Sequence, residues 1–188
     1  MKYLIDSNVL ITSFYGGVLP SLALGLRSRY PSIGRSAAQA SKWLEEWFIQ
    51  GFRSGQLVGS DGLIRELKVK KDRVSQLLQA LERQGLIQIL SPTPNTFSYV
   101  ADICQFVLNN FEVQQDDTFL RGEDPMFVAL AKTHKATLVT LEKHTIPGYD
   151  RVKKKIVGPV RIPFVAWAFG VRCISLYQAF DELAGRTA

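Results

Sequence analysis

The apolar positions of this chain fall into short runs separated by helix-like stretches. Lys2-Tyr3-Leu4-Ile5 reads as a short buried strand, followed by Asp6-Ser7-Asn8, a turn with good helix-capping residues. Val9 to Tyr15 predicts a helix that Gly16-Gly17 would stop. From Val18 to Ser36 the chain is Gly-, Ser- and Arg-containing with Pro20 and Pro31, and no element is assigned there. Ala37 to Arg53 has Trp43, Leu44, Trp47, Phe48 and Phe52 spaced along one helical face, an apolar surface suited to a core or a partner. Gln56-Leu57-Val58 predicts a short strand, and Ser60-Asp61 caps a helix through Leu63, Ile64 and Leu67.

Asp72 to Gln84 is amphipathic, with Val74, Leu77, Leu78 and Leu81 inward and Gly85 as its stop. Leu86 to Leu90 reads as a strand and Phe97 to Asn110 as a helix. Gly122-Glu123-Asp124-Pro125 opens the clearest helix, because proline suits a first helical position, and this helix ends near Lys135. Ala136 to Leu141 is a buried strand with Glu142 at its carboxyl end. A basic loop follows, then a helix over Phe164 to Phe169, a strand over Val171 to Ser175 and a closing helix over Leu176 to Leu183. Strands that alternate with helices predict an α/β fold, a three-layer α/β/α sandwich around a central, mainly parallel sheet. No internal repeat or linker divides the chain, so residues 1–188 are expected to form one domain.

Composition narrows the class. At 46% hydrophobic and 21% charged the chain is far from the profile of disorder, and no apolar run is long enough to span a bilayer. Only three residues separate Lys2 from the first acid, Asp6, so no signal peptide is expected at the N-terminus. Cys104 and Cys173 lie far apart without metal-type spacing, which suits a reducing cytoplasm. A formal net charge of +6 makes a polyanionic partner electrostatically welcome, although mild basicity also serves solubility. The charge is uneven: Arg65, Lys68, Lys70, Lys71 and Arg73 form one cluster, and Arg151, Lys153, Lys154, Lys155 and Arg161 another.

The acids are scattered, and several stand where elements begin or end. Asp6 follows the first strand, Glu142 follows a later one, Asp124 begins a helix and Glu66 lies one turn into another. In open α/β sheets ligands bind beyond the carboxyl ends of the strands, so these four can converge if the first and fourth strands are neighbours. Crowded carboxylates raise one another's pKa values unless a cation neutralises them. An oxygen-only set without His or Cys favours Mg²⁺ or Mn²⁺, which can activate water against a phosphodiester. Asn8 and Thr140 are placed to support a carboxylate or a metal-bound water. Each acid also has an ordinary reading, Asp6 and Asp124 as helix caps, Glu66 as a solvated helix residue and Glu142 as a polar strand end. Spacing alone leaves both readings open.

A family resemblance adds to this. Tyr3-Leu4-Ile5-Asp6-Ser7-Asn8-Val9-Leu10 resembles the opening of PIN domains, in which a hydrophobic strand delivers a metal-binding Asp. Glu66-Leu67 resembles the second acid of that family, on a helix after a short strand. Glu123-Asp124-Pro125 with Phe127-Val128-Ala129-Leu130-Ala131 resembles the third, at the start of the helix before the fourth strand. Leu138-Val139-Thr140-Leu141-Glu142 resembles the strand that carries the fourth. Lys153-Lys154-Lys155-Ile156, Ile162-Pro163 and Phe169-Gly170-Val171-Arg172-Cys173-Ile174 resemble a prokaryotic branch of the superfamily with a basic segment after a Glu-bearing strand. Many PIN nucleases carry Asp where Glu142 stands, so this is a variant site.

The resemblance implies a PIN-like fold and a metal-dependent endoribonuclease. Asp6, Glu66, Asp124 and Glu142 would hold Mg²⁺ or Mn²⁺, with Asn8 and Thr140 in support and Lys153, Lys154 and Lys155 on RNA phosphates. It also implies a toxin role restrained by an antitoxin protein, and pairing as a homodimer. Asp116 and Asp117 are spare acids and are not assigned. A non-catalytic domain that binds RNA or protein is the second reading. A third is a winged-helix DNA-binding module, from Arg73 to Ile87 and its flanking lysines, although Ser91-Pro92-Thr93-Pro94 stands where a wing would return. His134 and His144 are the only histidines, and no nucleophile elbow or phosphate-binding glycine loop is present.

Overall fold

The computed structural model describes residues 1–14, 20–33, 36–69, 73–112 and 118–184. The expected stop at Gly16-Gly17, the lysines Lys70 and Lys71, and the spare acids Asp116 and Asp117 lie outside them. In chain order the elements begin with β1 (Tyr3–Ile5), α1 (Ser7–Phe14), α2 (Pro20–Arg29) and a 3-10 turn over Pro31–Ile33. Next come α3 (Ala37–Arg53), β2 (Leu57–Ser60), α4 (Asp61–Val69), α5 (Arg73–Arg83) and β3 (Gln88–Leu90). Then follow α6 (Pro94–Asn110), α7 (Thr118–Arg121), α8 (Asp124–His134) and β4 (Thr137–Thr140). The chain closes with β5 (Gly148–Asp150), β6 (Lys155–Val157), α9 (Ile162–Ala168), β7 (Cys173–Ser175) and α10 (Leu176–Ala184).

Among the described residues, five strands form a parallel sheet in the order β3-β2-β1-β4-β7. Side chains alternate across it, as the pleat requires. Tyr3, Ile5, Leu57 and Val139 face one core with Val9, Leu44, Phe48, Leu78 and Phe180. Leu4, Val58, Leu90 and Leu138 face the other with Ile103, Val107, Val128 and Val165. The first core is covered by helices α1 to α5 and α10, the second by α6 to α9. This is the expected three-layer α/β/α architecture. It explains the near-continuous apolar strands, which are buried on both faces.

The winding reverses at one place. From β1 the chain steps outward through β2 to β3, then crosses back over both to enter β4 on the other side of β1. The carboxyl ends of β1 and β4, paired with Ile5 opposite Val139, therefore flank the switch point of the sheet.

Three local expectations are corrected. The unassigned stretch before Ser36 contains α2, whose helical signal is weak because Gly25 interrupts it. That glycine allows close approach: a Cβ there would lie 2.5 Å from the Tyr177 hydroxyl of α10. Second, α6 begins at Pro94, because Thr93 and Thr96 form a reciprocal capping box with proline in the first turn. Third, the basic loop after β4 is an antiparallel hairpin, β5 paired with β6 and Gly148 opposite Val157.

The winged-helix reading does not survive the fold. Leu78 and Leu81 of α5 are buried in the core, and β3 pairs in parallel with β2 rather than returning as a wing. The Trp43/Trp47/Phe48 face is likewise committed within the chain. Both tryptophans pack against Phe180 of α10, with ring centroids 5.3 and 4.4 Å away.

Candidate functional site

Asp6 is delivered by the end of β1 and is only 6% exposed. Its backbone N–H donates to Val139 O of β4 at 3.0 Å, which continues the ladder to the carboxylate itself. The side chain then collects donors. Thr140 Oγ1 donates to Oδ2 at 2.8 Å, the Asn8 backbone N–H donates to Oδ1 at 3.3 Å, and Ser7 Oγ donates to Oδ1 at 3.4 Å. The capping role expected for Asp6 is therefore real, and it coexists with the strand-end position. Burial pushes the Asp6 carboxyl above its ordinary value, Thr140 and Asn8 oppose that shift, and the charge of Glu66 adds to it.

Thr140 is fully buried and serves two partners, because its hydroxyl oxygen also accepts from the Glu142 backbone N–H at 3.1 Å. Glu142 stands two residues past the end of β4 and turns toward α9, where its Oε2 accepts from the Ile162 N–H at 2.7 Å. Burial raises the Glu142 carboxyl, the Ile162 N–H lowers it, Asp6 raises it and Arg161 lowers it. Asp6 and Glu142 thus feel each other across the switch point.

Glu66 and Asp124 reach the site from α4 and α8. Both line one cleft of about 550 Å³ together with Asp6, Ser7, Asn8 and Ser60. Glu66 is exposed and Asp124 half-buried in the first turn of its helix, where negative charge is favoured. Glu142 is not among the residues that line this cleft. The fold therefore gathers Asp6, Glu66 and Asp124 around one opening and sets Glu142 beside it, beyond Thr140. Asn8 lines the cleft as an exposed side chain.

Two participants escaped sequence reasoning. Glu123 lines the same cleft and pairs with Arg65 across it at 3.1 Å, so α4 and α8 are tied at the rim by charge. Its position beside Asp124 was the only signal available. The Ile162 N–H is the other, a backbone group that becomes a partner of Glu142 only because α9 begins there.

The donor set suits a hard divalent cation: among the described residues, the titratable side chains lining the cleft are carboxylates and one arginine, with no His or Cys. A cation would also offset the cost of an ionised, buried Asp6. Among the described residues, no group of three or more His, Cys, Asp or Glu is already close enough together to hold a metal ion. Glu142 in particular is turned onto Ile162.

The basic segment is partly engaged. Lys153 pairs with Glu112, and Lys155 Nζ donates to Leu108 O at 3.0 Å and Asn109 O at 2.7 Å at the end of α6. Lys154 is exposed, with a left-handed φ of 53° at the hairpin tip. His144 lies in the segment after Glu142, and partial burial of its ring lowers its imidazole pKa. His134 Nε2 lies 3.0 Å from Ser91 O, away from the acids.

The fold and the cleft define an α/β protein whose acids gather at the carboxyl edge of a parallel sheet. By sequence, residues 37–187 match the family described as Domain of unknown function (DUF4411), and the chain belongs to that family. No curated protein matches the chain. Among solved structures it is similar to one titled "Crystal Structure of FitAcB from Neisseria gonorrhoeae", at a TM-score of 0.45 and 14% identity. That similarity covers 92% of this chain and 96% of the other, a level of likeness that fixes neither site nor activity. No described helix is long and apolar enough to cross a membrane.

Proposed function

We propose that residues 1–188 form one PIN-like domain that hydrolyses RNA phosphodiester bonds internally with Mg²⁺ or Mn²⁺. One observation carries the reading. Three of the four acids, from β1, α4 and α8, line a single cleft at the switch point, and the fourth follows β4 beside them. Asp6 follows β1, Glu66 lies on α4, Asp124 begins α8 and Glu142 follows β4, an order that supports the resemblance to PIN domains.

In this reading Asp6 is the fixed ligand, oriented by Thr140 and by the start of α1. Glu66 and Asp124 supply charge from the facing walls, and Glu142 completes the set by leaving the Ile162 N–H. Asn8 is available as a hydrogen-bonding partner at the cleft. The cation would supply Lewis acidity toward the scissile phosphate and would favour ionisation of the attacking water. Lys153, Lys154 and Lys155 would bind flanking phosphates, with Lys154 the most available of the three. Restraint by an antitoxin protein, pairing as a homodimer and a cytoplasmic setting belong to the same proposal, the last supported by two unpaired cysteines.

The test is cleavage of end-labelled RNA by the purified protein with Mn²⁺, Mg²⁺ or EDTA, beside an Asp6→Asn/Asp124→Asn double variant. Metal-dependent cleavage that the double variant lacks supports the proposal. Cleavage that survives in the variant would place the activity elsewhere. A binding-only domain is the second reading, favoured by the hydrogen bond that holds Glu142 on Ile162. Absence of cleavage across structured RNAs and DNA would turn the balance to it.

A further inference from the structure

The charge of this protein is concentrated in one stretch. Residues 143–161 hold six Lys and Arg against a single acid, Asp150, so this segment carries +5 of the +6 formal net charge. The same stretch exposes apolar side chains that a folded chain ordinarily hides. Ile146 and Val152 are each 92% exposed, Tyr149 is 61% exposed and, across from them on α9, Trp167 is 73% exposed. Among the described residues these side chains stay open, and together they exceed the scattered apolar exposure of an ordinary surface.

Ile146 and Trp167 line a groove of about 390 Å³, between the segment His144-Thr145-Ile146 and the Pro163, Phe164 and Trp167 side of α9. The Phe164 and Trp167 rings lie 5.7 Å apart and are tilted by 38°. Phe164 and Thr145 also line a smaller adjoining depression that includes Arg161. The groove thus has an aromatic wall, and Arg161 stands in the depression beside it. It starts two residues beyond Glu142, and Trp167 lies about 7.5 Å along α9 from the Ile162 N–H that Glu142 holds.

We infer that this groove is a subsite for an unpaired nucleobase of single-stranded RNA, with Trp167 as its stacking platform. Arg161 in the adjoining depression, with Arg151 and Lys154 on the hairpin, meets the phosphates on either side. The inference rests on RNA being the polyanion that this protein takes. An apolar segment of a protein would fill the groove equally well by shape, but an exposed indole with the Arg161 guanidinium in the adjoining depression suits a base attached to phosphates better. Stacking on an indole uses the face of a base and not its edge, so recognition is tolerant of base identity. A duplex, whose bases are already stacked, gains nothing from the platform.

The test is equilibrium binding to the full chain in EDTA, where no metal-dependent cleavage interferes, followed by fluorescence anisotropy. The probes are a labelled single-stranded RNA 12-mer, an abasic strand of the same length and an RNA duplex. Trp167→Ala is expected to weaken binding of the 12-mer roughly tenfold. It should leave the abasic strand and the duplex unchanged, and Trp167→Phe should recover most of the loss. Because Trp167 is exposed, neither variant removes core packing, and an unchanged melting temperature checks this.

Equal loss on the 12-mer and the abasic strand would overturn the stacking role. So would native affinity in Trp167→Ala, which would leave the groove to a protein segment. A native protein that binds none of the probes overturns it too. Metal-dependent cleavage is read in a separate assay, so a failure of the nuclease proposal and a failure of this subsite are distinguishable.

Discussion

Thr140 Oγ1 donates a 2.8 Å hydrogen bond to Asp6 Oδ2 across the strand pair at which the winding of the sheet reverses. One hydroxyl therefore fixes the orientation of a nearly buried carboxylate, and its oxygen also accepts from the Glu142 N–H. Replacing Thr140 by Val keeps the shape and removes both interactions. The variant should lose about 1–3 kcal/mol, the usual consequence of stranding a buried polar group. Denaturant unfolding measures this, and Thr140→Ser should recover most of it. A Val variant as stable as the native protein would mean that Asp6 is satisfied without Thr140.

Glu142 has two jobs that substitution can separate. Glu142→Gln keeps an acceptor for the Ile162 N–H, so its stability should stay within about 1 kcal/mol of the native protein. Under the proposed mechanism its metal-dependent RNA cleavage should still fall by at least tenfold. Thermal melts and a cleavage time course on the same preparation decide. Full activity in Glu142→Gln would confine this residue to holding α9.

A cation that binds the folded protein alone should stabilise it. Mn²⁺ at about 100 times its dissociation constant contributes about 2.7 kcal/mol. That is a melting increment of about 5–10 °C for a chain of this size. The increment should vanish in Asp6→Asn/Asp124→Asn. Differential scanning fluorimetry with and without Mn²⁺ measures it, and an equal increment in the double variant would point to a site elsewhere.

The three lysines of the basic hairpin should behave differently. Lys155 caps the carbonyls of Leu108 and Asn109, so Lys155→Met should cost about 1 kcal/mol, or about 2–4 °C in melting temperature. Lys154→Gly removes one charge at a left-handed position that glycine tolerates better, so stability should be equal or higher. Its RNA affinity should fall, with a salt slope shallower by about 0.7. Titrations at several salt concentrations test both.

Alkaline pH should weaken the contact that Tyr30, just beyond α2, makes with α10. Tyr30 donates to Asp181, and burial first, then that hydrogen bond and the Asp181 charge, raise its phenol from 10.0 to about 12. A raised pKa means that the phenol's contribution to stability is complete below pH 10 and is lost as the pH rises toward 12. Tyr30→Phe should therefore be less stable than the native protein at pH 8, by about 1 kcal/mol, with the gap narrowing by pH 11. A gap that stays constant would assign the effect to packing alone.

The legible parts of this protein were those whose signal is local. Trp43, Leu44, Trp47, Phe48 and Phe52 recur at helical spacing, and α3 spans Ala37–Arg53 as that spacing requires. The buried strands showed as apolar runs because both faces of the sheet are covered. The misses have equally specific causes. Helix α2 depends on Gly25 lying against Tyr177, far away in sequence. The β5/β6 hairpin is short and exposed, so its residues carry no burial pattern to read. The basic run looked like free phosphate-binding charge, whereas Lys153 and Lys155 had already found Glu112 and the end of α6.

For the acids the division is similar. The sequence alone determined that Asp6 and Glu142 follow strands, that Asp124 begins a helix and that Glu66 lies one turn into another, because capping chemistry and apolar periodicity locate those elements. Only the tertiary structure decided that β1 and β4 are neighbours, and so that Asp6 and Thr140 meet. It also decided that α4 and α8 face one cleft and that Glu142 leans on Ile162 beside it. Strand order is set by how the helical layers pack on the two faces of the sheet, a property of many distant contacts that no local spacing contains.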